Sequence, residues 1–456
     1  MRATGVTQQI DAFLQTGLDR YIAETARLCA QSSVSAKGEG LDECADQVAG
    51  LLQQHGLEVQ RFATPGAPVV VGRLAGRLER TLLFYNHYDV QPPEPVELWT
   101  SPPFEPQLRN GALYARGAKD DKGELVARLA AVDAVRAAHG GTLPFGALFV
   151  VEGQEEVGSP HIANFVREHV AMLRCDGAIW EEGGVDADGR PGMGLGVRGV
   201  LGVELTAETM RRDAHSGSAH ALPNAAWRLL QALMSLKGAD ERIRIPGFYE
   251  KVRPLSRRDL DLFGTLPDYE QQLRATFGVK TFVRGLTGKA LSKAVFDPTC
   301  NIQGITAGYQ GPGGKTVIPA RASAKLDFRL VPDQDPDDIF TRLGSHLIDQ
   351  GFGDVQVTRG GSMWPAKMDA DDPLVTLTVR TGEEVYGRPS LLHPMSGGSS
   401  PVYAFAGPLR IPVVTAGVGY ANNATHSPDE HVRLEDFLNG ARHIARILEG
   451  FGTLRR

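Results

Sequence analysis

The chain has 456 residues, of which 42% are hydrophobic and 22% are charged, as in an ordinary soluble globular protein. At roughly 150 residues per domain, this length predicts two or three structural units. Lys and Arg number 48 against 54 Asp and Glu, giving a formal charge of −6, so no basic surface for nucleic acid or a membrane is expected. The sequence has no apolar run of about 18 residues and no signal-peptide pattern, which predicts a cytoplasmic protein.

The first 190 residues alternate between helix-like and strand-like segments. Helices are predicted over 18–30, 41–55, 124–138 and 161–170. Strands are predicted over 69–71, 81–85, 145–151 and 177–180. This alternation indicates an α/β domain built on a mostly parallel sheet.

From about residue 198 the pattern becomes that of an α+β module. It predicts a strand over 200–206, a helix over 225–236, an irregular stretch to about 297, strands from 301, over 321–329 and over 354–358, and a helix over 335–350. After about 369 the α/β pattern resumes with helices over 373–386 and 434–451 and a strand over 413–416. We therefore predict one domain formed by residues 1–197 and 369–456, with residues 198–368 inserted into it.

Several common catalytic and binding motifs are excluded by their context. The G-x-G-x-x-G match at Gly194–Gly199 precedes a strand-like segment, whereas a dinucleotide site needs a helix there. The chain lacks the G-x-S-x-G and H-E-x-x-H motifs, so serine hydrolases and zincins are disfavoured. Its four cysteines form no Cys-x-x-Cys pair and are expected to be buried thiols.

Polar side chains cluster where the predicted α/β strands end. His87 and Asp89 follow the strand over 81–85, and Asp120 and its neighbour Asp121 precede a helix. Each pair alone has an ordinary alternative, a surface hydrogen bond for the first and helix capping for the second. As a metal-site pair, the His87 imidazole could bind a cation while the Asp89 carboxylate orients it.

Three further loops carry the same kind of residue. Glu155 and Glu156 follow the strand over 145–151, Glu181 follows the strand over 177–180, and His426 lies in a later loop. Adjacent carboxylates repel one another unless a cation or a proton neutralises one of them. Because open α/β sheets bind ligands beyond the carboxyl ends of their strands, the pooled set predicts a hydrolytic site with two metal ions.

Taken together, these motifs resemble the M20 metallopeptidase family, most closely its dipeptidase branch. The motifs that carry the resemblance are His87-x-Asp89, Gly117-x-x-Asp120-Asp121-Lys122-Gly123, Glu155-Glu156, Glu181, His426 and Asp213-Ala-His215-Ser-Gly217. The resemblance implies an α/β zinc-hydrolase catalytic domain with a mostly parallel sheet and an inserted α+β lid and dimerisation domain. It covers nearly the whole chain.

The resemblance implies a ligand set for two divalent metal ions per subunit, with zinc expected and manganese or cobalt as alternatives. Asp120 would bridge the ions, His87 and Glu181 would complete one site, and Glu156 and His426 would complete the other. Glu182 stands next to Glu181 as an alternative ligand, and the W-E-x-G-G spacing favours Glu181. A cis peptide between Asp120 and the following Asp121 is also implied.

The resemblance assigns catalytic and substrate-binding roles as well. Glu155 would be the general base, Asp89 would orient His87, and His215 would reach the active site of the partner in a homodimer to stabilise the oxyanion. Arg329 would bind the C-terminal carboxylate of a substrate through its guanidinium group. The remaining expected substrate-binding residues are Thr316, Asn224 and Ser399.

The predicted function is hydrolysis of the amide bond of dipeptides or similar small substrates with a free C-terminal carboxylate. An N-acyl- or N-carbamoyl-amino-acid amidohydrolase with the same metal site is the alternative. Related dipeptidases carry an acidic residue before Gly-Gly-Ser-x-Pro, whereas this chain has Met395 and Ser396, so recognition of a substrate amino group stays open. A metal-free binding protein is disfavoured because the base and the full ligand set are present.

Overall fold

The computed structural model describes residues 2–454 and divides into two compact units. Unit 1 comprises Met1–Leu195, Met368–His393 and Ala404–Arg456, and unit 2 comprises Gly196–Lys367 and Pro394–Tyr403. The short segment Pro394–Tyr403 thus belongs to unit 2, although it lies well after the rest of that unit in the sequence.

Helices account for much of the described chain. They are α1 (Arg2–Ala30), α2 (Leu41–Gln54), α3 (Lys122–Ala138), α4 (Ile162–Glu168), α5 (Ala225–Leu236), α6 (Arg257–Phe263), α7 (Tyr269–Phe277), α8 (Gly288–Lys293), α9 (Pro336–Asp349), α10 (Pro373–Tyr386), α11 (Val402–Leu409) and α12 (Leu434–Phe451). Among the described residues, no helix combines the length and the apolar character needed to cross a membrane.

The strands range from two to twelve residues in length. They are β1 (Glu58–Phe62), β2 (Val69–Leu74), β3 (Gly76–His87), β4 (Gln107–Arg109), β5 (Ala112–Tyr114), β6 (Leu143–Glu152), β7 (Gly177–Trp180), β8 (Gly184–Val185), β9 (Pro191–Gly194), β10 (Gly196–Val197), β11 (Gly199–Glu208), β12 (Ala214–His215), β13 (Thr299–Ala307), β14 (Val317–Ile318), β15 (Arg321–Leu330), β16 (Gln356–Met363), β17 (Ala366–Lys367), β18 (Leu391–His393), β19 (Val413–Thr415), β20 (Gly419–Tyr420) and β21 (His431–Arg433).

Unit 1 is built on a six-stranded sheet in the order β1-β2-β6-β3-β7-β19. Strands β6, β3, β7 and β19 pair in parallel, whereas β1 and β2 add antiparallel pairs at one edge. The predicted α/β class is therefore confirmed, with a sheet that is mixed rather than wholly parallel. The register of β3 and β6 places His87 opposite Glu152. The polar residues that follow the parallel strands therefore lie together at the carboxyl ends of these strands.

Unit 2 contains a four-stranded antiparallel sheet in the order β13-β15-β11-β16. Helices α5 and α9 contact this sheet. The core between them includes Leu205, Leu229, Phe328 and Leu343, all of which are fully buried. This is the α+β arrangement that the sequence predicts for the middle of the chain.

The stretch up to residue 297 that we predicted to be irregular contains three short helices, α6, α7 and α8. That prediction is wrong because these helices span only six to nine residues, too few for a clear apolar period. Two of these three helices begin at side chains that cap them. Ser256 and Asp259 form a capping box at α6, and Asp268 caps α7.

A buried ionic cluster joins the helices of unit 1 and gives a pH-dependent prediction. His55 Nδ1 lies 2.7 Å from Asp133 Oδ2, and its Nε2 lies 3.2 Å from Glu24 Oε2. Burial lowers the pKa of His55, but the hydrogen bonds to these two carboxylates outweigh it and raise the pKa to about 9. A protonated His55 therefore stabilises the fold fully below about pH 6.5, and this stabilisation is lost as the pH rises through about 9.

We expect the free energy of unfolding of the metal-depleted protein to fall by up to about 3 kcal/mol between pH 6.5 and pH 9.5 because of this group. In the His55→Gln variant, this part of the pH dependence should disappear. Urea denaturation of both proteins at the two pH values measures the difference. Equal losses of stability in the wild type and the variant would rule out this role for His55.

Candidate metal centre

The predicted metal-binding residues of unit 1 lie near the carboxyl ends of the parallel strands. His87 is the last residue of β3, and Glu181 follows β7 directly. Asp120 and Asp121 come just before α3, and the peptide bond between them is cis, as the resemblance implies. Glu156 lies in a short 3₁₀ helix after β6.

These residues form two groups of possible metal ligands. One consists of His87, Asp121 and Glu181, and the other of Asp120, Glu156 and His426; within each group the ligand atoms lie within 4.8 Å of one another. Sequence reasoning put Asp120, not Asp121, beside His87, and the structure places both aspartates near that ring.

Asp120 connects the two groups through its two carboxylate oxygens. Its Oδ1 lies 3.2 Å from His87 Nε2, and its Oδ2 lies 3.1 Å from His426 Nε2. His426 Nε2 is also 3.2 Å from Glu156 Oε2, and His87 Nε2 is 3.9 Å from Glu181 Oε2. A carboxylate with one oxygen directed to each side has the geometry of a ligand shared by two cations.

The donor set fits divalent metal ions. The Glu181 Oε2 atom, 3.9 Å from His87 Nε2, is buried without a hydrogen-bond partner. Leaving a buried carboxylate oxygen unsatisfied is costly, and a bound cation would satisfy it. Imidazole nitrogens combined with carboxylate oxygens suit zinc, manganese or cobalt.

The electrostatic surroundings keep the shared ligand ionised. Burial disfavours the charged form of Asp120, but the Lys119 ammonium and the hydrogen bonds from His426 and His87 hold its pKa well below the usual range. Hydrogen bonds to Asp120 and Glu156 raise the pKa of His426 to about 10. The negative charge of the neighbouring carboxylates thus favours a cation between Asp120, Glu156 and His426.

For two other acids of the site, Glu155 and Glu181, burial is the dominant influence on the pKa. It is the main cause that raises the pKa of Glu155 to about 8, and the carboxylates of Glu156 and Asp89 add to the effect. Burial also raises the pKa of Glu181 well above its ordinary value. A pKa displaced toward neutrality is a property expected of a group that exchanges protons during a reaction.

Asp89 contacts both His87 and the glutamate pair. His87 Nδ1 lies 3.0 Å from the Asp89 backbone oxygen and 3.4 Å from Asp89 Oδ1. The same carboxylate accepts hydrogen bonds from the backbone N–H groups of Glu155 (3.1 Å) and Glu156 (3.0 Å). Asp89 therefore fixes the backbone of Glu155 and Glu156 in addition to contacting His87.

The structure distinguishes the two adjacent glutamates that the sequence left as alternatives. Glu181 is only 4% exposed, belongs to the His87 group, and accepts a hydrogen bond of 3.0 Å from the Trp180 indole N–H. Glu182 is exposed, has a φ of 72°, and belongs to neither group in the described part of the chain.

The predicted substrate-binding residues lie in unit 2, where two of them are in contact. Arg329, on β15, donates a hydrogen bond from Nη1 to Ser399 Oγ (2.9 Å) and one from Nε to Asp327 Oδ2 (3.3 Å). These contacts hold the guanidinium group in one orientation. The Ser399 contact is one of several between the segment Pro394–Tyr403 and the rest of unit 2, together with the backbone hydrogen bond from Ser396 N to Gly196 O at 2.7 Å.

The other three predicted residues of unit 2 are His215, Thr316 and Asn224. His215 is exposed on β12, where Ser216 N donates to Thr316 O at 3.2 Å, so His215 and Thr316 are close. The Asn224 side chain caps α5 by accepting from the backbone N–H of Ala226 at 2.8 Å. This cap uses the Oδ1 atom of Asn224 and does not involve its Nδ2 amide group.

Two supporting residues were missed by the sequence reasoning. Gln91 donates a hydrogen bond of 2.8 Å to Glu156 Oε2, and nothing in its local sequence announces this contact. Glu430 is completely buried and accepts hydrogen bonds from the segment that carries Asp120. In the sequence it stands only as an acidic residue four positions after His426, with no sign of its burial.

An α/β unit that gathers two histidines and several carboxylates has the residue set of a metal-dependent hydrolase. The sequence profile of peptidase family M20/M25/M40 matches residues 83–450, so the chain belongs to this family of metallopeptidases.

Similar proteins agree with this assignment. The chain is 28% identical over 393 residues to the Cys-Gly metallodipeptidase dug1 of Schizosaccharomyces pombe, covering 83% of this chain and 81% of the relative. It is 27% identical over 399 residues to the Beta-Ala-His dipeptidase of Homo sapiens, covering 84% and 77%. The solved structure of the M20 family metallo-carboxypeptidase Sso-CP2 from Sulfolobus solfataricus has a TM-score of 0.87 and 33% identity, covering 95% of this chain and 99% of that one.

Proposed function

We propose that this metallopeptidase hydrolyses the amide bond of dipeptides or similar small substrates with a free C-terminal carboxylate. The observation that carries the proposal is the Asp120 carboxylate, with one oxygen beside His87 and the other beside His426. The names of the two dipeptidase relatives and of the metallo-carboxypeptidase support a substrate with a free C-terminus.

The proposed ligand set for two ions is His87, Asp120, Glu156, Glu181 and His426, with zinc as the proposed metal. Ions held there supply Lewis acidity, which polarises the scissile carbonyl and lowers the pKa of a water molecule toward about 7. Asp121 contributes by holding β3 in place, because its Oδ2 accepts hydrogen bonds from Asn86 Nδ2 (2.6 Å) and from His87 N (3.1 Å).

Glu155 is the proposed general base and then the general acid. It belongs to neither ligand group, and its backbone is fixed by the hydrogen bond to Asp89. Its carboxylate takes a proton from the attacking water as the oxygen bonds to the carbonyl carbon. It returns that proton to the amide nitrogen as the carbon–nitrogen bond breaks, which releases a carboxylic acid and an amine.

Arg329 is proposed to bind the C-terminal carboxylate of the substrate. Ser399 and Asp327 orient its guanidinium group, and a planar guanidinium can bind a carboxylate through two parallel hydrogen bonds. The Thr316 hydroxyl and the Asn224 amide nitrogen are proposed as further contacts. His215 is proposed to stabilise the oxyanion in the partner's site.

Replacing Arg329 should affect substrate binding more than turnover. We expect Arg329→Ala to raise KM for a dipeptide by about 10- to 100-fold, because a charge-assisted hydrogen bond contributes about 1.5–3 kcal/mol. Arg329→Lys should recover only part of this loss, since a lysine cannot form the paired contact. Steady-state kinetics tests this expectation, with the exposed Arg321 of the same strand replaced by Ala as the control. An unchanged KM in both Arg329 variants would exclude the assignment.

We also propose that the protein acts as a homodimer. The support is the exposed apolar face of helix α5 and an exposed edge strand, both in unit 2. On α5, Trp227 is 67% and Met234 is 74% exposed, and Ile302 and Ile305 are exposed on β13, an edge strand of the sheet. A protein rarely leaves such a face uncovered, and an edge strand can pair with a second copy.

Introducing charge on this face should separate the subunits. We expect the double variant Trp227→Glu/Met234→Glu to sediment as one chain of about half the wild-type mass. Ile348→Glu, at a similarly exposed apolar position on α9, should leave the mass unchanged and is the control. Sedimentation velocity gives the answer, and a wild type that sediments at 49.1 kDa would contradict the dimer.

The proposed location is the cytoplasm, and the thiol state supports it. All four cysteines are free, and three of them are buried. Unpaired thiols are usual in a reducing compartment.

The substrate assignment is tested by a panel of unblocked dipeptides, N-blocked dipeptides, N-acetyl amino acids and N-carbamoyl amino acids. The enzyme is stripped with a chelator and reloaded with zinc or manganese. Metal-dependent cleavage that is fastest on unblocked dipeptides supports the proposal. Cleavage of N-acetyl or N-carbamoyl amino acids alone would move the protein to the amidohydrolases. No cleavage with either metal would refute the proposal.

A further inference from the structure

The buried carboxylate of Glu430 accepts four hydrogen bonds from one short segment of unit 1. Its Oε2 accepts from Arg116 Nη1 at 2.7 Å and from the backbone N–H of Gly117 at 3.1 Å. Its Oε1 accepts from the backbone N–H groups of Lys119 at 3.1 Å and Asp120 at 3.0 Å. Three of the four donors are therefore peptide groups of the loop that presents the Asp120 side chain.

Glu430 itself occupies a fixed position. Its backbone oxygen accepts a hydrogen bond from Ala115 N at 3.1 Å, and the next residue begins β21, which pairs with β5. The preceding Asp429 accepts hydrogen bonds from Thr100 N at 3.0 Å and from Arg109 Nη2 at 2.9 Å. The backbone on both sides of Glu430 is thus anchored to neighbouring segments.

The same segment carries a proposed metal ligand, since His426 lies only four residues before Glu430. Glu430 therefore ties the His426 segment to the Asp120 segment, although 310 residues separate Glu430 from Asp120 in the sequence. The Asp120 carboxylate then lies 3.1 Å from His426 Nε2. Among the described residues, Glu430 belongs to neither ligand group.

We propose that Glu430 is a positioning residue that sets the place of Asp120 relative to His426, and so determines how tightly the metal ions are held. This inference rests on the proposed metal site. Residues that orient metal ligands typically contribute about 10- to 100-fold to metal affinity. Here the contact is made to the peptide groups of the ligand loop and not to the ligand side chains.

The variant Glu430→Gln tests this inference, with Arg116→Gln as its matched control. A glutamine amide has one oxygen and one NH₂ group, so two of the four donors would face another donor whichever way the amide is turned. Arg116→Gln removes the charged partner of Glu430, together with the Arg116 contacts to Pro92 O and the Trp99 ring, and keeps the three peptide contacts. Circular dichroism first establishes the temperature range in which each variant is folded.

The readout is the dissociation constant for zinc and for manganese, measured by competition with a chelator in that range. We expect Glu430→Gln to bind each ion about 10- to 100-fold more weakly than the wild type. Arg116→Gln should stay within about threefold. Unchanged affinity in Glu430→Gln, or equal weakening in both variants, would overturn the inference.

A second measurement uses only the wild type and applies even if Glu430→Gln does not fold. Hydrogen exchange in the metal-depleted protein should show protection of the Lys119 and Asp120 amides, because Glu430 accepts from both. Exchange at the rate of unprotected peptide would overturn the inference. A wild type that binds neither ion would instead refute the proposed function, and the exchange result distinguishes the two failures.

Discussion

The Glu155→Gln variant is expected to lose about 10²- to 10⁴-fold in kcat on a dipeptide substrate, the usual contribution of a general base. The amide cannot accept the proton of the attacking water, and it cannot return a proton to the leaving amine. Because Glu155 belongs to neither ligand group, the variant should still bind two metal ions per chain. Turnover and metal content are measured on the same preparation.

Glu182→Gln is the control for this variant, because Glu182 is a nearby glutamate outside both ligand groups. It should keep activity within a few-fold of the wild type. If Glu155→Gln retains full turnover, Glu155 is not the base. If Glu155→Gln loses its metal ions, its effect on turnover comes from metal binding, which contradicts the role proposed here.

The second large effect is expected for Asp120→Asn. The substitution replaces one of the two oxygens that face His87 and His426 by an NH₂ group, which cannot bind a cation. It also removes the negative charge shared by the two groups. We expect metal content to fall from two ions to one or fewer per chain and kcat to fall at least about 10³-fold.

The exposed Asp188 provides the comparison for this second variant, because its side chain is 75% exposed. Asp188→Asn should keep both metal ions and full activity. Metal content is measured by mass spectrometry of the purified proteins after dialysis. Two retained ions in Asp120→Asn would exclude Asp120 as the shared ligand.

Much of the fold could be predicted because its elements are long and regular in pattern. The helices over 225–236, 373–386 and 434–451 and the strand over 177–180 have the predicted bounds. The first half of α1 was missed because its apolar face is weakly marked, with alanine, threonine and glutamine among its residues. The β1 strand was missed because it is short and largely exposed, so its sequence contains no apolar run.

The residue types of the candidate site could also be read from strand ends, but their contacts could not. Sequence spacing cannot show that Asp121 lies in the same group as His87, or that Asp89 accepts the N–H groups of Glu155 and Glu156. These contacts join segments that are distant in the chain. The choice between Glu181 and Glu182 depends on which of the two side chains is buried. Adjacent residues of an extended segment point to opposite sides, so a shift of one residue exchanges the buried and the exposed position.

The most direct test of the central claim is the number of metal ions that a fully active chain holds. The chelator-treated protein is titrated with zinc, and bound metal and dipeptide hydrolysis are followed together. We predict that activity is absent at the start and reaches its plateau at two ions per chain. Full hydrolysis in the metal-depleted protein, or a plateau at one ion per chain, would contradict the assignment of a dinuclear metallopeptidase site.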